Sequence, residues 1–243
     1  MEPFQSRGRL IAGVSFDIPG MGYKDPRTGA LSGFEIGVAK AVGEKLVGSA
    51  DRVDFVQVKD QERIAEIDCG DVDMVVSQLT ITPDRAEQVD FSIPYCTTRE
   101  GILVPAGSPI ARFEDLGGRR IAVTRGSVSL RRMTAALPSL PGATLVLTDL
   151  SVGNLEAVEA GQADAASNDM INLTMLRMGT GRPEAFTLID IGARFDPKPF
   201  GIAVKKGSPG FVALLNEAIG VMTADGTIHK LLDAAIASFG NVG

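Results

Sequence analysis

Arg85 stands in a setting that could hold a small anion. Thr82 falls at the N-cap position of a helix start, with Pro83 at the first helical position, where its missing N–H is no loss. Arg85 then lies in the first turn, where the macrodipole is positive and does not by itself favour a cation. A guanidinium there, beside free backbone N–H groups and a Thr hydroxyl, suits a small carboxylate. The alternative is an exposed ion pair with Asp84 or Glu87, of a kind that contributes little. No metal centre is indicated, because the single His, His229, is far in sequence from Cys69 and Cys96 and no paired-ligand spacing occurs. The two cysteines could be bridged or free.

The elements that must position these residues alternate along the chain. Residues 10–14 read as a strand, the Gly/Pro-rich run 17–22 as a loop, and 24–29 as a turn. Phe34, Ile36, Val38, Ala39, Val42 and Leu46 recur at helical spacing and stop near Gly48. A strand at 53–58, a helix at 61–67 and a strand at 74–77 follow. The pattern then restarts, with a strand at 121–124, a turn at Arg125-Gly126-Ser127, a helix at 129–136, a strand at 145–147 and a helix at 155–160. This alternation predicts an α/β fold with mostly parallel sheets flanked by helices.

One internal correspondence bears on the site. Gly70-Asp71-Val72-Asp73-Met74-Val75-Val76-Ser77-Gln78 lines up with Gly161-Gln162-Ala163-Asp164-Ala165-Ala166-Ser167-Asn168-Asp169. Each has a helix-ending Gly, then an Asp, then a small or apolar strand that ends in a polar cluster. Gln78 and Asp169 take equivalent places. Two similar α/β lobes are therefore expected, each presenting polar groups from the carboxyl end of a strand, where open α/β sheets bind ligands.

At 243 residues the chain has room for one large domain or two modest ones. Its net charge of −6 argues against a nucleic-acid or anionic-membrane surface, and Arg119-Arg120 and Arg131-Arg132 are only isolated basic pairs. No apolar stretch approaches the roughly 20 residues that span a bilayer. The opening MEPFQSRGRL lacks the apolar core of a signal peptide, which leaves an intracellular protein or a mature domain with a start Met.

Taken together, the motifs resemble the extracellular solute-binding proteins that deliver polar amino acids to bacterial ABC importers. The likeness runs through Leu31-Ser32-Gly33-Phe34-Glu35-Ile36-Gly37-Val38-Ala39-Lys40 and Gly70-Asp71-Val72-Asp73. Its most specific part is Thr80-Ile81-Thr82-Pro83-Asp84-Arg85 with Val89-Asp90-Phe91-Ser92-Ile93-Pro94-Tyr95; Arg125-Gly126-Ser127 and Asp225-Gly226-Thr227 complete it. The resemblance implies a type II periplasmic-binding-protein fold of two lobes, 1–97 plus 200–243 and 98–199, with a two-strand hinge near 96–101 and 194–201. Hinge closure around a ligand is a general property of that class and comes with the resemblance. It also implies a periplasmic or extracellular monomer, its membrane anchoring left open, with an amino acid and a membrane permease as partners and no cofactor.

The family's roles fall on matching positions. Arg85, helped by Thr80, would clamp the ligand α-carboxylate, and Ser127 would meet the same group from the second lobe. Asp169 would accept the α-ammonium, aided by the carbonyl of Gln78; the alternatives are an exposed loop acid for Asp169 and a plain helix N-cap for Ser127. The run Phe16-Asp17-Ile18-Pro19-Gly20 resembles the acidic-amino-acid branch, which adds Asp17 and Phe16 as ligand contacts, a place in the core being the alternative for Phe16. Arg125, Arg63 and Lys24 are the cations that could meet a side-chain carboxylate; their alternative is a solvated surface charge. An enzyme on the same scaffold, or the sensing domain of a receptor, are the competing readings, since fold does not fix function.

Overall fold

The computed structural model describes residues 3–241. The chain divides into two compact units: residues 3–16, 20–97 and 199–241 form one, and residues 17–19 and 98–198 the other. The backbone therefore passes between units at 16–17, 19–20, 97–98 and 198–199, and the short strand Asp17–Ile18 belongs to the second unit.

In the first unit a five-stranded sheet runs in the order Val53–Gln57, Leu10–Val14, Met74–Val75, Ala203–Lys205, Val89–Phe91. The first three strands are mutually parallel, and Ala203–Lys205 is antiparallel to both of its neighbours. Four strands thus share one direction, as alternating strands and helices require, and the reversed one is supplied by the returning chain. Val58, Ile67, Val72, Val75, Leu79, Val89 and Ala203 form a buried cluster on this sheet. Gly13 has no side chain because a Cβ there would lie 2.9 Å from Val58 and 3.1 Å from Val75.

The second unit repeats the plan. Its order is Thr144–Thr148, Arg120–Thr124, Ala165–Asp169, Glu100–Pro105, Phe186–Asp190, with the first three parallel and Glu100–Pro105 reversed. Ile102, Val104, Leu116, Ile121, Val123 and Met133 are fully buried in its core.

The internal correspondence becomes physical here. Met74–Val75 and Ala165–Asp169 are the central strands of their sheets. Gly70 and Gly161 both end helices in the left-handed region, at φ 81° and 66°, where an L side chain is strained. Asp73 and Asp164 then do the same job. Asp73 accepts from the Ile11 N–H at 2.7 Å and returns its own N–H to Ile11 O at 2.9 Å. Asp164 accepts from the Arg120 N–H at 2.8 Å and returns its N–H to Arg120 O at 2.8 Å. Each acid stitches its central strand to a parallel neighbour and pairs with an arginine, Arg7 or Arg120. Burial pushes the Asp73 carboxyl up, whereas the Arg120 guanidinium holds Asp164 below the usual carboxylate range.

The run 17–22, expected as a loop, holds the short strand Asp17–Ile18 and the start of the strand Gly22–Lys24; the other differences from the expected elements are small. The third helix is Arg63–Cys69, the strand after it stops at Val75, and the helix after Thr82 is only Pro83–Ala86. Thr82 takes the N-cap position, but its side chain makes no capping hydrogen bond. Cys69 and Cys96 form no disulfide.

Candidate ligand-binding residues in the two units

In the first unit the segment after Met74–Val75 carries the polar residues. Arg85 is only 6% exposed, and its guanidinium donates to Thr80 O at 2.9 Å. Burial removes the exposed-ion-pair alternative. Thr80 itself is buried and forms a bridge with Phe200, while the Ile81 N–H donates to Pro199 O at 2.8 Å. The loop is thereby laid along the returning chain, and the short helix is carried with it.

Gln78 is held unusually. It has φ 46°, the positive-φ position occupied by a non-glycine residue among the described residues. Its N–H donates to Glu35 Oε1 at 2.6 Å, and the carbonyl of Ser77 accepts from Arg63 Nη1. Glu35 is fully buried and also accepts from the Tyr95 hydroxyl. Burial first, then the Glu35 charge, pushes the Tyr95 phenol well above its ordinary range. Arg63 is buried as well, donating to Asp60 O at 3.1 Å and lying 3.3 Å from the Asp60 carboxylate. The Ser15 and Ser77 hydroxyls meet at 2.7 Å.

In the second unit Asp169 is 3% exposed and caps the helix Met170–Gly179 by accepting the Asn172 N–H at 2.9 Å. Ser127 caps Val128–Ala136, accepting the Leu130 N–H at 3.0 Å, after a turn in which Gly126 takes φ 77°. Asp17 accepts the Val152 N–H at 3.1 Å at the start of Ser151–Glu159. Three of the sequence-predicted polar residues therefore sit at helix starts, where N–H groups favour negative charge or hydroxyls.

The remaining candidates are engaged differently. Arg125 is half exposed, 3.2 Å from Asp149 in a surface ion pair. Lys24 lies 5.4 Å from the centre of the Phe16 ring, a cation–π contact that gives both residues a partner. The expectation that Arg63 is either a ligand contact or a solvated charge meets a guanidinium buried against Ser77 and Asp60.

Sequence reasoning missed two sets of residues. One is Glu35 with Tyr95. Positions 35, 38, 39 and 42 share a helix face, and Val38, Ala39 and Val42 are buried, so a carboxylate on that apolar stripe was the available signal. The other is a cluster on Glu100, fully buried and directly opposite Asp169 in the sheet. Lys198 lies 2.8 Å and Arg132 3.2 Å from its Oε2, and Ser167 donates to Oε1 at 3.0 Å. Lys198 also donates to Ser129 at 2.7 Å, and Arg132 to Asp196 O at 2.6 Å. No local pattern announces a pair separated by almost a hundred residues.

Comparison with known proteins agrees with this architecture. The model of the bacterial extracellular solute-binding proteins, family 3, matches residues 10–237. The chain belongs to that family. It is 30% identical over 232 residues to the ABC transporter glutamine-binding protein GlnH of Bacillus subtilis, covering 92% of this chain and 79% of that one. It is 27% identical to the glutamate-binding protein GluB of Corynebacterium efficiens, covering 93% and 78%. The crystal structure of a cysteine-binding protein from Campylobacter jejuni superposes with a TM-score of 0.87 at 27% identity, covering 97% of this chain and 92% of that one. The fold is the two-lobed, type II periplasmic-binding-protein fold, each lobe a mixed sheet flanked by helices.

Proposed function

We propose that this protein captures a polar, acidic amino acid, glutamate or aspartate with glutamine as the neighbouring choice, and hands it to the permease of an ABC importer. The observation that carries the reading is a pair of buried opposite charges, one in each unit. Arg85 is a guanidinium set beside Thr80, and Asp169 is a carboxylate at the matching end of the other unit's central strand. A free amino acid is a zwitterion, and its two charges ask for these two groups. Arg85 and Thr80 take the α-carboxylate with Ser127, and Asp169 takes the ammonium with the Gln78 carbonyl. Relatives whose names specify glutamine and glutamate support the ligand class.

The lobes of this reading are 1–97 plus 200–243 and 98–199, with closure about 96–101 and 194–201, in a monomer working outside the cytoplasmic membrane. Ligand groups drawn from both lobes make closure depend on occupancy. The carrier reading is favoured over catalysis because Asp169 is matched to an ammonium and His229 lies exposed, 3.3 Å from Asp233 on the same helix. A thermal-shift screen of the twenty common L-amino acids tests it. Ligand at 100 times Kd adds about 2.7 kcal/mol, roughly 5–10 °C for a chain of this size. Glutamate or aspartate should give the largest shift. No shift from any amino acid, or conversion of the bound ligand to product, refutes the proposal.

A further inference from the structure

The Ser77–Gln78 peptide is gripped at both poles. Its carbonyl end accepts from the buried Arg63 guanidinium, and its N–H end donates to the fully buried Glu35 carboxylate. A cation on the negative end of a peptide dipole and an anion on the positive end are both charge-assisted hydrogen bonds. They act against a cost, because Gln78 carries a side chain at φ 46°, where L residues are strained. Rotating this one peptide would return Gln78 to negative φ and break both bonds. Nothing in the local sequence asks for the strained form; a glycine would hold it freely.

The grip is itself braced. Glu35 opens the helix Phe34–Val47, and its N–H donates to Met21 O at 2.9 Å. Gly33 precedes it at φ 120°, where a Cβ would lie 2.3 Å from Met21 O, so the helix start cannot slide. Tyr95 gives its hydroxyl to the same oxygen, its ring 6.0 Å from Phe34 and 6.3 Å from Phe200. Asp60 holds Arg63 from the other side.

We infer that Glu35 is a positioning residue for amino-acid capture. With Arg63 it clamps the Ser77–Gln78 peptide in its strained orientation and so aims the Gln78 carbonyl and the Thr80 segment at the ligand. This rests on the proposed roles of Gln78, Thr80 and Arg85. Glu35 touches no ligand; it acts through one peptide.

The test compares Kd by calorimetry for the amino acid that binds the parent tightest among the twenty common ones. Glu35→Gln keeps an oxygen that can accept both hydrogens and should bind within about fivefold of the parent. Glu35→Leu keeps the bulk, lets the peptide turn, and should weaken binding at least 30-fold. Adding Gln78→Gly to Glu35→Leu removes the strain and should recover at least fivefold. A purely structural Glu35 would lower the melting temperature of Glu35→Leu and leave its Kd alone. Binding by Glu35→Leu within threefold of the parent, or no recovery on adding Gln78→Gly, overturns the inference. Should Glu35→Leu not fold, Arg63→Met releases the other pole and is read by the same two criteria. Arg85→Ala separates the failures. If it retains parental affinity, the binding-site reading itself falls; if it abolishes binding while Glu35→Leu does not weaken it, only the clamp falls.

Discussion

Replacing Asp169 by Asn separates the capping role of this residue from its proposed binding role. Asp169 is 3% exposed and its Oδ1 accepts the Asn172 N–H at 2.9 Å. Asn caps helices as well as Asp, so that hydrogen bond survives the change. What is lost is a negative charge at a helix N-terminus, about 0.3–1 kcal/mol. For a chain of this length that is a fall of roughly 1–4 °C in melting temperature. Binding should suffer more. A hydrogen bond to a charged group contributes about 1.5–3 kcal/mol, and the ammonium would also lose its counter-charge. The expected weakening is about 2 kcal/mol, close to 30-fold in Kd. Calorimetric titration with L-glutamate at neutral pH reads the affinity, and unfolding without ligand reads the stability. Asp169→Ala should lose the same affinity and a further ~1 kcal/mol of stability, because the cap goes too. Glutarate, which keeps both carboxylates and lacks the amine, supplies the cross-check. The parent should prefer glutamate to glutarate, and Asp169→Asn should lose most of that preference. A Kd for Asp169→Asn within threefold of the parent, or an unchanged glutamate preference, would refute the assignment.

Three further outcomes are expected. Arg85→Ala should remove detectable amino-acid binding while unfolding stays cooperative; measurable affinity in the same titration would count against the carboxylate clamp. Tyr95 should make the protein sensitive to alkali. Its native pKa lies well above the ordinary value near 10, so its contribution is intact below pH 10 and falls above it by about 1.4 kcal/mol per pH unit, as the unfolded chain ionises first. Denaturant unfolding of Tyr95→Phe should show a shallower loss from pH 10 upward, and identical slopes would reject this. Lys198→Met should destabilise by about 3 kcal/mol, because it strips a cation from the fully buried Glu100, and Glu100→Gln added to it should restore most of that. A double variant no more stable than the single one in urea would show that burial of the charge is not the cause.

The features readable from the chain were those whose physics is local. Pro83 at a helix start, Gly70 and Gly161 at helix ends, and alternating apolar runs depend on the backbone preferences of neighbouring residues. The nine-residue correspondence was readable for the same reason, and it located both central strands together with Gln78 and Asp169 at their ends. The helix-capping residues Ser127 and Asp169 stood in recognisable positions after a turn or strand.

Burial and partnership belonged to the tertiary structure. Arg63, Glu35 and Lys198 look in sequence like ordinary charged residues of helices and loops. Folding brings Glu35 to Gln78, 43 residues away, and Lys198 to Ser129, 69 residues away. Desolvation then makes each of these charges demand a partner, which an exposed residue of the same type never does. The left-handed Gln78 is decided in the same way. Its own propensity opposes the conformation, and only two distant charges meeting on one peptide hold it there. Backbone preference and hydrophobic period are carried by neighbours along the chain; the electrostatic environment of a side chain exists only once distant segments have packed around it.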